Sequence, residues 1–196
     1  MSEREVLDLD VLFVGAGPAS LAGAIHLKRL LSKSGTEASV AVLEKASEIG
    51  AHSLSGAIVD PRALRELFPD FPDTDLPFEA EVSEEHLYYL TENKKIPFPF
   101  VPPSMSHHHC FVTSLGKLTR WLGNKCENEG VDIFCGFAGT KLLYEGEQVV
   151  GVRTGDRGID KNGEKKPQFE PGADIRAKVV ILGVGTRGSL TKNLID

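Results

Sequence analysis

The chain has 196 residues, of which 41% are hydrophobic and 26% charged, and its formal net charge is −6. This composition is ordinary for a soluble globular protein. The length allows one domain with a sizeable core, or a piece of a larger protein. The acidic charge argues against nucleic acid as a partner, because a surface that binds phosphate backbones requires a basic excess.

The three cysteines, Cys110, Cys126 and Cys135, form no C-x-x-C pair and predict neither a disulfide framework nor a metal site. A reducing compartment is the simplest interpretation. The first residues, MSEREVLDLD, lack the regions of a signal peptide and are too acidic for a transit peptide. No apolar run approaches the ~20 residues that span a bilayer, so we expect a cytosolic protein, or a peripheral membrane protein at most.

Residues 10–45 carry the pattern of a β-α-β unit. The segment VLFVG, Val11 to Gly15, predicts a strand that is buried on both faces, and Ser39 to Glu44 predicts a second one. Between them, apolar residues at helical spacing predict a helix that ends at SKSG. A right-handed crossover of this kind indicates an α/β fold with a Rossmann-like, dinucleotide-binding β-α-β unit.

The rest of the chain is less regular at first and then regular again. Residues 60–104 are rich in proline and predict a short helix at Arg62–Leu67 and an edge strand within 86–104. A helix is predicted from Leu115 to Glu129, and it is followed by VDIFCG, a hairpin that turns at Glu145–Gly146, and a strand from Ala177 to Gly185. The polar, glycine-rich stretch 156–172 predicts a long exposed loop. Because a helix starts near residue 188, we expect an incomplete domain, the N-terminal part of a larger protein.

The sequence GAGPAS predicts a phosphate-binding turn between the first strand and the helix. Gly15 can adopt the backbone angles of a tight turn, and Gly17 lets a pyrophosphate approach the main chain. The third position of the motif is Ser20, where Gly or Ala is usual, and serine is small enough to fit. The N–H groups of the helix N-terminus then face the phosphates. The predicted pyrophosphate residues are Gly15, Ala16, Gly17, Pro18, Ala19 and Ser20.

Glu44 ends the next strand, where a carboxylate can accept both hydroxyls of an adenosine ribose and repel a 2′-phosphate. The alternative is a tight connection made by the glycines, with Glu44 as a solvated strand end. Beyond Glu44, the stretch KASEIGAHSLSGA offers small residues and free main-chain N–H groups to a flat ring, which suits FAD better than an exchanging nicotinamide nucleotide. The residues predicted to line the cofactor here are Lys45, Ala51, His52, Ser53, Leu54, Ser55 and Gly56, with Gly185 at a later turn.

Five stretches together resemble electron-transfer flavoprotein–ubiquinone oxidoreductase, in its N-terminal flavin domain: VGAGPASL, EKASEIGAHSLSGA, SLGKLTRWLG, GDRGIDKNG and RGSLTK. The resemblance covers about Asp10 to Asp196. It implies a FAD domain of the glutathione-reductase and hydroxybenzoate-hydroxylase type with an added β-hairpin. Residues 1–196 would be its N-terminal part: the β-α-β unit at 10–45, a flavin-lining and irregular segment at 46–110, and helix and β segments at 111–196.

The resemblance also implies a function. Members of the family take electrons from electron-transfer flavoprotein and pass them to ubiquinone, and they carry FAD and a [4Fe–4S] cluster whose ligands lie in later family sequence. They sit peripherally on the inner membrane, on its cytoplasmic side in bacteria or in mitochondria. The segment Ile96–Pro103 corresponds to a membrane-facing surface of the family, and its alternative is a loop packed into the rest of a larger core. Such a fragment is not expected to complete the reaction alone.

Two stretches depart from the family pattern. Gly183–Thr186 lacks the acidic residue that the family has in this turn, so no carboxylate contact with the flavin is expected there, although Gly185 is kept. In HHHCF, only His108 and the aromatic character of Phe111 are kept. Adjacent histidines on an extended chain point to opposite sides, so we assign His107–His109 no metal.

No Ser–His–Asp arrangement or pair of acid–base carboxylates stands out, so hydrolysis is not supported and no catalytic residue is named. Two other functions stay open from the sequence. One is a FAD-dependent reductase or hydroxylase of an organic substrate. The other is a truncated, non-catalytic nucleotide-binding module.

Overall fold

The computed structural model describes residues 4–53, 56–72, 75–160, 164–186 and 188–195. The chain divides into two compact units. The first comprises Met1–Ser53 with Thr119–Asp196, and the second comprises Leu54–Leu118. In chain order the elements are β1 (Val6–Val14), α1 (Pro18–Ser34), β2 (Val40–Glu44), β3 (Gly56–Val59), α2 (Arg62–Leu67), β4 (Ala80–Glu81), β5 (Tyr88–Leu90), β6 (Lys95–Pro97), a 3-10 turn (Pro103–Met105), β7 (Phe111–Ser114), α3 (Leu115–Asn128), β8 (Asp132–Cys135), β9 (Gly139–Glu145), β10 (Gln148–Thr154), β11 (Arg157–Ile159), β12 (Lys165–Glu170), β13 (Asp174–Leu182) and α4 (Ser189–Ile195).

The first unit contains a six-stranded sheet in the order β8-β2-β1-β13-β10-β9. Strands β8, β2, β1 and β13 are parallel, whereas β10 and β9 are antiparallel to their neighbours. The predicted β-α-β unit and the hairpin that turns at Glu145–Gly146 are therefore confirmed. Parallel strands with a glycine turn between β1 and α1 form the Rossmann-like architecture that the sequence predicted.

Alternate residues of β1 pack on opposite faces of the sheet, as the strand geometry requires. Phe13 lies under α1, where its ring comes within 3.3 Å of the position that a Cβ on Gly23 would take. Leu12 and Val14 point to the other face and join a buried cluster with Leu43 and Leu190. Burial on both faces explains why residues 11–14 of β1 and 40–43 of β2 are continuous apolar runs rather than alternating ones.

Strand β10 borders only the first part of β13. Its pairing partners there are Asp174, Ile175 and Arg176. Among the described residues, the later part of β13 has its ladder partner on the β1 side alone. Val179 and Ile181 in this later part are 51% and 37% exposed.

The second unit holds a three-stranded sheet in the order β3-β7-β4 and a separate hairpin of β5 and β6. Its buried side chains include Leu64 of α2, Phe68 and Leu76. Phe78 stacks on Phe111 of β7, with 4.3 Å between the ring centroids. The predicted helix at Arg62–Leu67 is confirmed.

The prediction of a long loop at 156–172 is wrong, because β11 and β12 pair there as antiparallel strands, with Arg157 opposite Glu170. The edge strand predicted within 86–104 is confirmed, since β5 and β6 form a two-stranded hairpin in which each strand is an edge, with Tyr88 opposite Pro97. Strands β5, β6 and β11 have only three residues each, and β12 reads KKPQFE, so no alternating apolar pattern indicates their pairing. In the part of the chain that the structure describes, no helix is long and apolar enough to cross a membrane.

Asp10 fastens the start of β2 to β1. Its carboxylate accepts hydrogen bonds from the Lys178 ammonium at 2.6 Å and from the Ser39 N–H and hydroxyl groups at 2.8 and 2.9 Å. These donors favour the ionised form, and the pKa of Asp10 falls from 3.8 to about 2.

Because the folded-state pKa lies below the unfolded value, this stabilisation is complete above about pH 4 and is lost as the pH falls towards about 2. We therefore expect D10N to lose less stability than the wild type over this acidic range, measured by urea unfolding at several pH values. Asp8→Asn, at an exposed position on the same strand, is the control. Equal acid sensitivity of D10N and the wild type would contradict this role of Asp10.

Candidate dinucleotide site

The turn after β1 can only be made by glycine at its first position. Gly15 has a φ of 103°, in the left-handed region, and its N–H donates to the Leu43 carbonyl at 2.7 Å. A Cβ on Gly15 would lie 2.6 Å from the carbonyl oxygen of Gly183, which follows β13. The predicted tight turn is confirmed, and its cause is the close approach of two backbones.

Helix α1 begins directly after this turn, with Gly17 at the N-cap and Pro18 at the first helical position. No side-chain oxygen of the described residues caps the helix, and no acidic residue lies in its first turn. No described heavy atom lies within 4 Å of the position that a Cβ on Gly17 would take. The helix N-terminus therefore presents free N–H groups and a positive dipole end beside an open backbone, which suits an anion.

The Glu44 carboxylate holds this turn in place. One of its oxygens accepts the Ala16 N–H at 2.9 Å, and the other accepts the Ala46 N–H at 2.8 Å. Each carboxylate oxygen keeps further acceptor capacity beyond one bond, which is what ribose hydroxyls require. The carboxylate thus holds the turn and can still accept hydrogen bonds from ribose hydroxyls, the role that the sequence predicted for it.

A cavity of about 450 Å³ opens at this edge of the sheet, within the first unit. Its walls come from the turns that follow β1, β2, β8 and β13, and from the start of α4. The lining residues are Val14–Gly17, Leu43–Lys45, Gly50, His52, Ser53, Phe137–Gly139, Gly183–Gly185 and Gly188–Leu190. The carboxyl ends of parallel strands are where α/β folds bind their ligands.

Most of the predicted cofactor residues line this cavity. They are Gly15, Ala16, Gly17, Glu44, Lys45, His52, Ser53 and Gly185. Pro18 and Ala19 form the first turn of α1, while the Ser20 side chain is buried against Gly183. Ala51 lies in an exposed turn, and Gly56 begins β3 in the second unit. Leu54 and Ser55 lie outside the described residues.

The third position of the glycine motif can be a serine here because residue 183 is a glycine and leaves room for the Ser20 hydroxyl. The Ser20 side chain is 4% exposed, and a Cβ on Gly183 would collide with its Oγ. The serine therefore occupies the space that a larger residue at 183 would need. Its side chain packs between α1 and the turn after β13, so any contact with a phosphate would come from its backbone.

Sequence reasoning missed the wall after β8, formed by Phe137, Ala138 and Gly139. The available signal was the parallel order of the strands, because β8 lies beside β2 and its end reaches the same edge. Phe137 donates its N–H to the Glu44 carbonyl at 2.9 Å, and Gly136 donates to the Ala46 carbonyl at 2.6 Å. These bonds continue the β2–β8 pairing beyond the last strand residues.

The turn after β13 closes the opposite side of the cavity. Gly185 has a φ of 77°, and its carbonyl accepts the Gly188 N–H at 3.3 Å. Val184, where the family pattern has an acidic residue, lines the cavity and packs on Gly188, whose added Cβ would collide with it. This turn offers backbone groups and an apolar side chain to a ligand.

The consecutive histidines lie in the second unit, and His107 and His109 have carboxylate partners nearby. His107 Nδ1 lies 2.6 Å from Glu85 Oε1, and His109 Nδ1 lies 3.7 Å from Glu81 Oε1. The pKa of Glu85 is lowered, chiefly by the hydrogen bond from the His107 N–H and further by those from the His107 and Ser106 side chains. Within the described ranges, no group of three or more His, Cys, Asp or Glu residues is placed to hold a metal.

Two cysteines of the first unit are poor nucleophiles in this fold. Burial raises the pKa of Cys126 to about 12, and its thiol donates to the Leu21 carbonyl at 3.2 Å. Burial also raises the pKa of Cys135, which sits opposite Glu44 in the β2–β8 ladder. Thiolate chemistry therefore has no support at these positions.

Comparison with known proteins gives a consistent set of relatives, although no protein-family model matches the chain. Electron transfer flavoprotein-ubiquinone oxidoreductase of Oryza sativa subsp. japonica is 44% identical over 98% of this chain and 33% of that protein. The enzyme of the same name from Pseudomonas aeruginosa is 43% identical over 98% of this chain and 36% of its own length. Among solved structures, the myxobacterial chondrochloren halogenase, a variant of FAD-dependent halogenases, aligns with a TM-score of 0.61 at 16% identity, over 95% of this chain and 39% of that one.

The structural likeness agrees with the fold that the strand order indicates. The sequence likeness goes further, because it extends over nearly every residue of the chain. The predicted family resemblance is confirmed by it. The chain is thus a homologue of the electron transfer flavoprotein-ubiquinone oxidoreductases, and it spans about a third of their length.

Proposed function

We propose that this chain binds FAD in the cavity of the first unit and is the FAD-binding portion of an oxidoreductase that passes electrons from electron transfer flavoprotein to ubiquinone. One observation carries the proposal. The backbone at Gly17 is open, at an uncapped helix N-terminus, beside a fixed carboxylate at Glu44. A glycine turn with these properties suits a diphosphate joined to an adenosine.

The residues around the turn would hold the cofactor in a defined direction. The N–H groups of the first turn of α1 and the backbone at Gly15–Gly17 would bind the pyrophosphate. Glu44 would accept the ribose hydroxyls, and its negative charge disfavours a 2′-phosphate. FAD, when bound, supplies the redox chemistry, while the chain binds it, orients it and limits the access of water.

The strand order supports an assignment of the two ends of the cofactor. The sheet runs β8-β2-β1-β13, with the phosphate turn after β1 and the ribose carboxylate at the end of β2. The adenine would continue in the same direction, towards the wall after β8. The remaining half of the cofactor would leave past the turn after β13 and the segment that follows Glu44, where His52 and Ser53 line the cavity.

The redox partners come to this proposal from the relatives' names, which specify electron transfer flavoprotein and ubiquinone. Since the chain spans about a third of those proteins, its part in the reaction is to hold the flavin. The [4Fe–4S] cluster of the resemblance is assigned no residue in this chain, because the described residues contain no suitable ligand group.

The glycine turn allows a sharp test of cofactor binding. Replacing Gly17 by alanine should mainly reduce FAD affinity, whereas replacing Gly15 by alanine should mainly reduce stability. G17A places a methyl group where the diphosphate would lie, at a φ of −75° that any residue adopts. We expect its FAD affinity to fall by about tenfold or more, with a stability loss within about 1 kcal/mol. The measurements are calorimetric titration with FAD and urea unfolding.

G15A is the matched control. Its φ of 103° and the collision with the Gly183 carbonyl should destabilise the fold by about 1–3 kcal/mol or more. Wild-type protein that is folded but binds no FAD would refute the proposed function. FAD binding by G17A at wild-type affinity would refute the location of the diphosphate.

The second unit supports a peripheral membrane contact. Its β5–β6 hairpin and the following segment expose large apolar side chains rather than burying them. Those more than 45% exposed are Tyr89, Leu90, Ile96, Phe98, Phe100 and Met105. A concentration of this kind is the usual sign of an interaction surface. We propose that it faces the inner membrane, on the cytoplasmic side in bacteria or in mitochondria.

Replacing Phe98 and Phe100 together by serine should reduce association with liposomes by about tenfold, because two exposed aromatic rings would no longer enter the interface. Co-sedimentation of the purified protein measures this. Tyr144→Ser removes an exposed aromatic residue of the first unit and serves as the control. If the double variant sediments like the wild type, the membrane contact does not lie here.

A further inference from the structure

An arginine stacks on the aromatic wall of the cavity. The Arg157 guanidinium carbon lies 4.4 Å from the centroid of the Phe137 ring. Phe137 lines the cavity, whereas Arg157 is not among the lining residues. The arginine thus reaches the site only through the ring that it covers.

The chain leaves room for this stacking at Gly136. A Cβ on Gly136 would collide with Arg157 Nη2 and lie 3.4 Å from its guanidinium carbon. Gly136 also has a φ of 80°, so a side chain there would be both strained and obstructed. A glycine directly before Phe137 is therefore what leaves room for the guanidinium over the ring.

Arg157 also has a partner within the β11–β12 hairpin, to which it belongs. Arg157 pairs with Glu170 across this hairpin, and its Nη1 lies 3.7 Å from Glu170 Oε2. Both side chains are partly exposed, at 44% and 68%, so the ion pair itself adds little stability. Its effect is to limit the directions in which the guanidinium can point.

The backbone of Phe137 is fixed by the residue that ends β2. Its N–H donates to the Glu44 carbonyl at 2.9 Å, while the Glu44 carboxylate holds the glycine turn. With its backbone fixed, the remaining freedom of Phe137 is the rotation of its side chain. Arg157 stacking restricts that rotation.

We propose that Arg157 is a positioning residue for the adenine end of the dinucleotide, acting through the Phe137 ring. This inference rests on the proposed function, because it assumes that a dinucleotide occupies the cavity. The flat apolar ring offers a stacking or edge contact to a purine, and the guanidinium keeps that ring in the cavity wall. The flavin end of the cofactor lies towards β13 and does not depend on Arg157.

The test separates the two halves of the cofactor. Calorimetric titration measures the affinity of the purified protein for ADP and for FMN. R157A should raise the Kd for ADP about fivefold and change the Kd for FMN by less than about twofold. R157K keeps a cation that can lie over the ring, and should recover part of the lost ADP affinity.

A double-mutant cycle tests whether the arginine acts through the ring. Once Phe137→Leu has removed the aromatic face, adding R157A should change ADP affinity by less than about twofold. Arg176→Ala is the matched control, since Arg176 also forms an exposed ion pair, in the six-stranded sheet, with Glu145 at 3.1 Å. It should leave both affinities unchanged.

Several results would overturn the proposal. It fails if R157A binds ADP within twofold of the wild type, if it weakens ADP and FMN equally, or if its effect persists in full on the Phe137→Leu background. Each of these leaves the proposed function standing, provided that the wild type binds FAD. A wild type that binds neither FAD nor ADP would overturn both.

Discussion

Glu44 joins the carboxyl ends of three parallel strands, and the geometry of the site depends on it. Its carboxylate fixes the turn after β1 through Ala16 and the segment after β2 through Ala46. Its carbonyl accepts the Phe137 N–H beyond the end of β8. One residue therefore sets the distance between the phosphate turn, the ribose position and the aromatic wall. Replacing this residue would therefore change the geometry of the whole adenosine half of the cavity.

Close backbone packing is the second constraint, and it acts on the other side of the phosphate turn. A Cβ on Gly15 would collide with the Gly183 carbonyl, and a Cβ on Gly183 would collide with the Ser20 hydroxyl, so neither position has space for a side chain. Gly17, between them in sequence, is open towards the cavity. The three glycines thus serve different purposes. Gly15 and Gly183 allow the strands and the helix to pack closely, and Gly17 leaves room for a ligand.

The sequence was sufficient for the first β-α-β unit, because its apolar runs, glycine turn and terminal acid are all local signals. It predicted most of the cavity residues after β1 and β2, but it missed Gly50 and included Ala51 and Gly56, which do not line the cavity. It did not predict the wall at Phe137, which belongs to the site only because β8 pairs with β2 across a long stretch of chain. Short hairpins such as β11–β12 were missed for a related reason. Their pairing is set by tertiary contacts rather than by local pattern.

The later part of β13 has a bearing on handling the protein. Within the described part of the chain it is paired on one side alone, and the apolar side chains of Val179 and Ile181 stand partly exposed beside its open main-chain groups. Backbone groups along such an edge must bond to water or to a strand supplied by other polypeptide, and uncovered edges of this kind template intermolecular association. Solubility and monodispersity in concentrated preparations therefore depend on what shields β13.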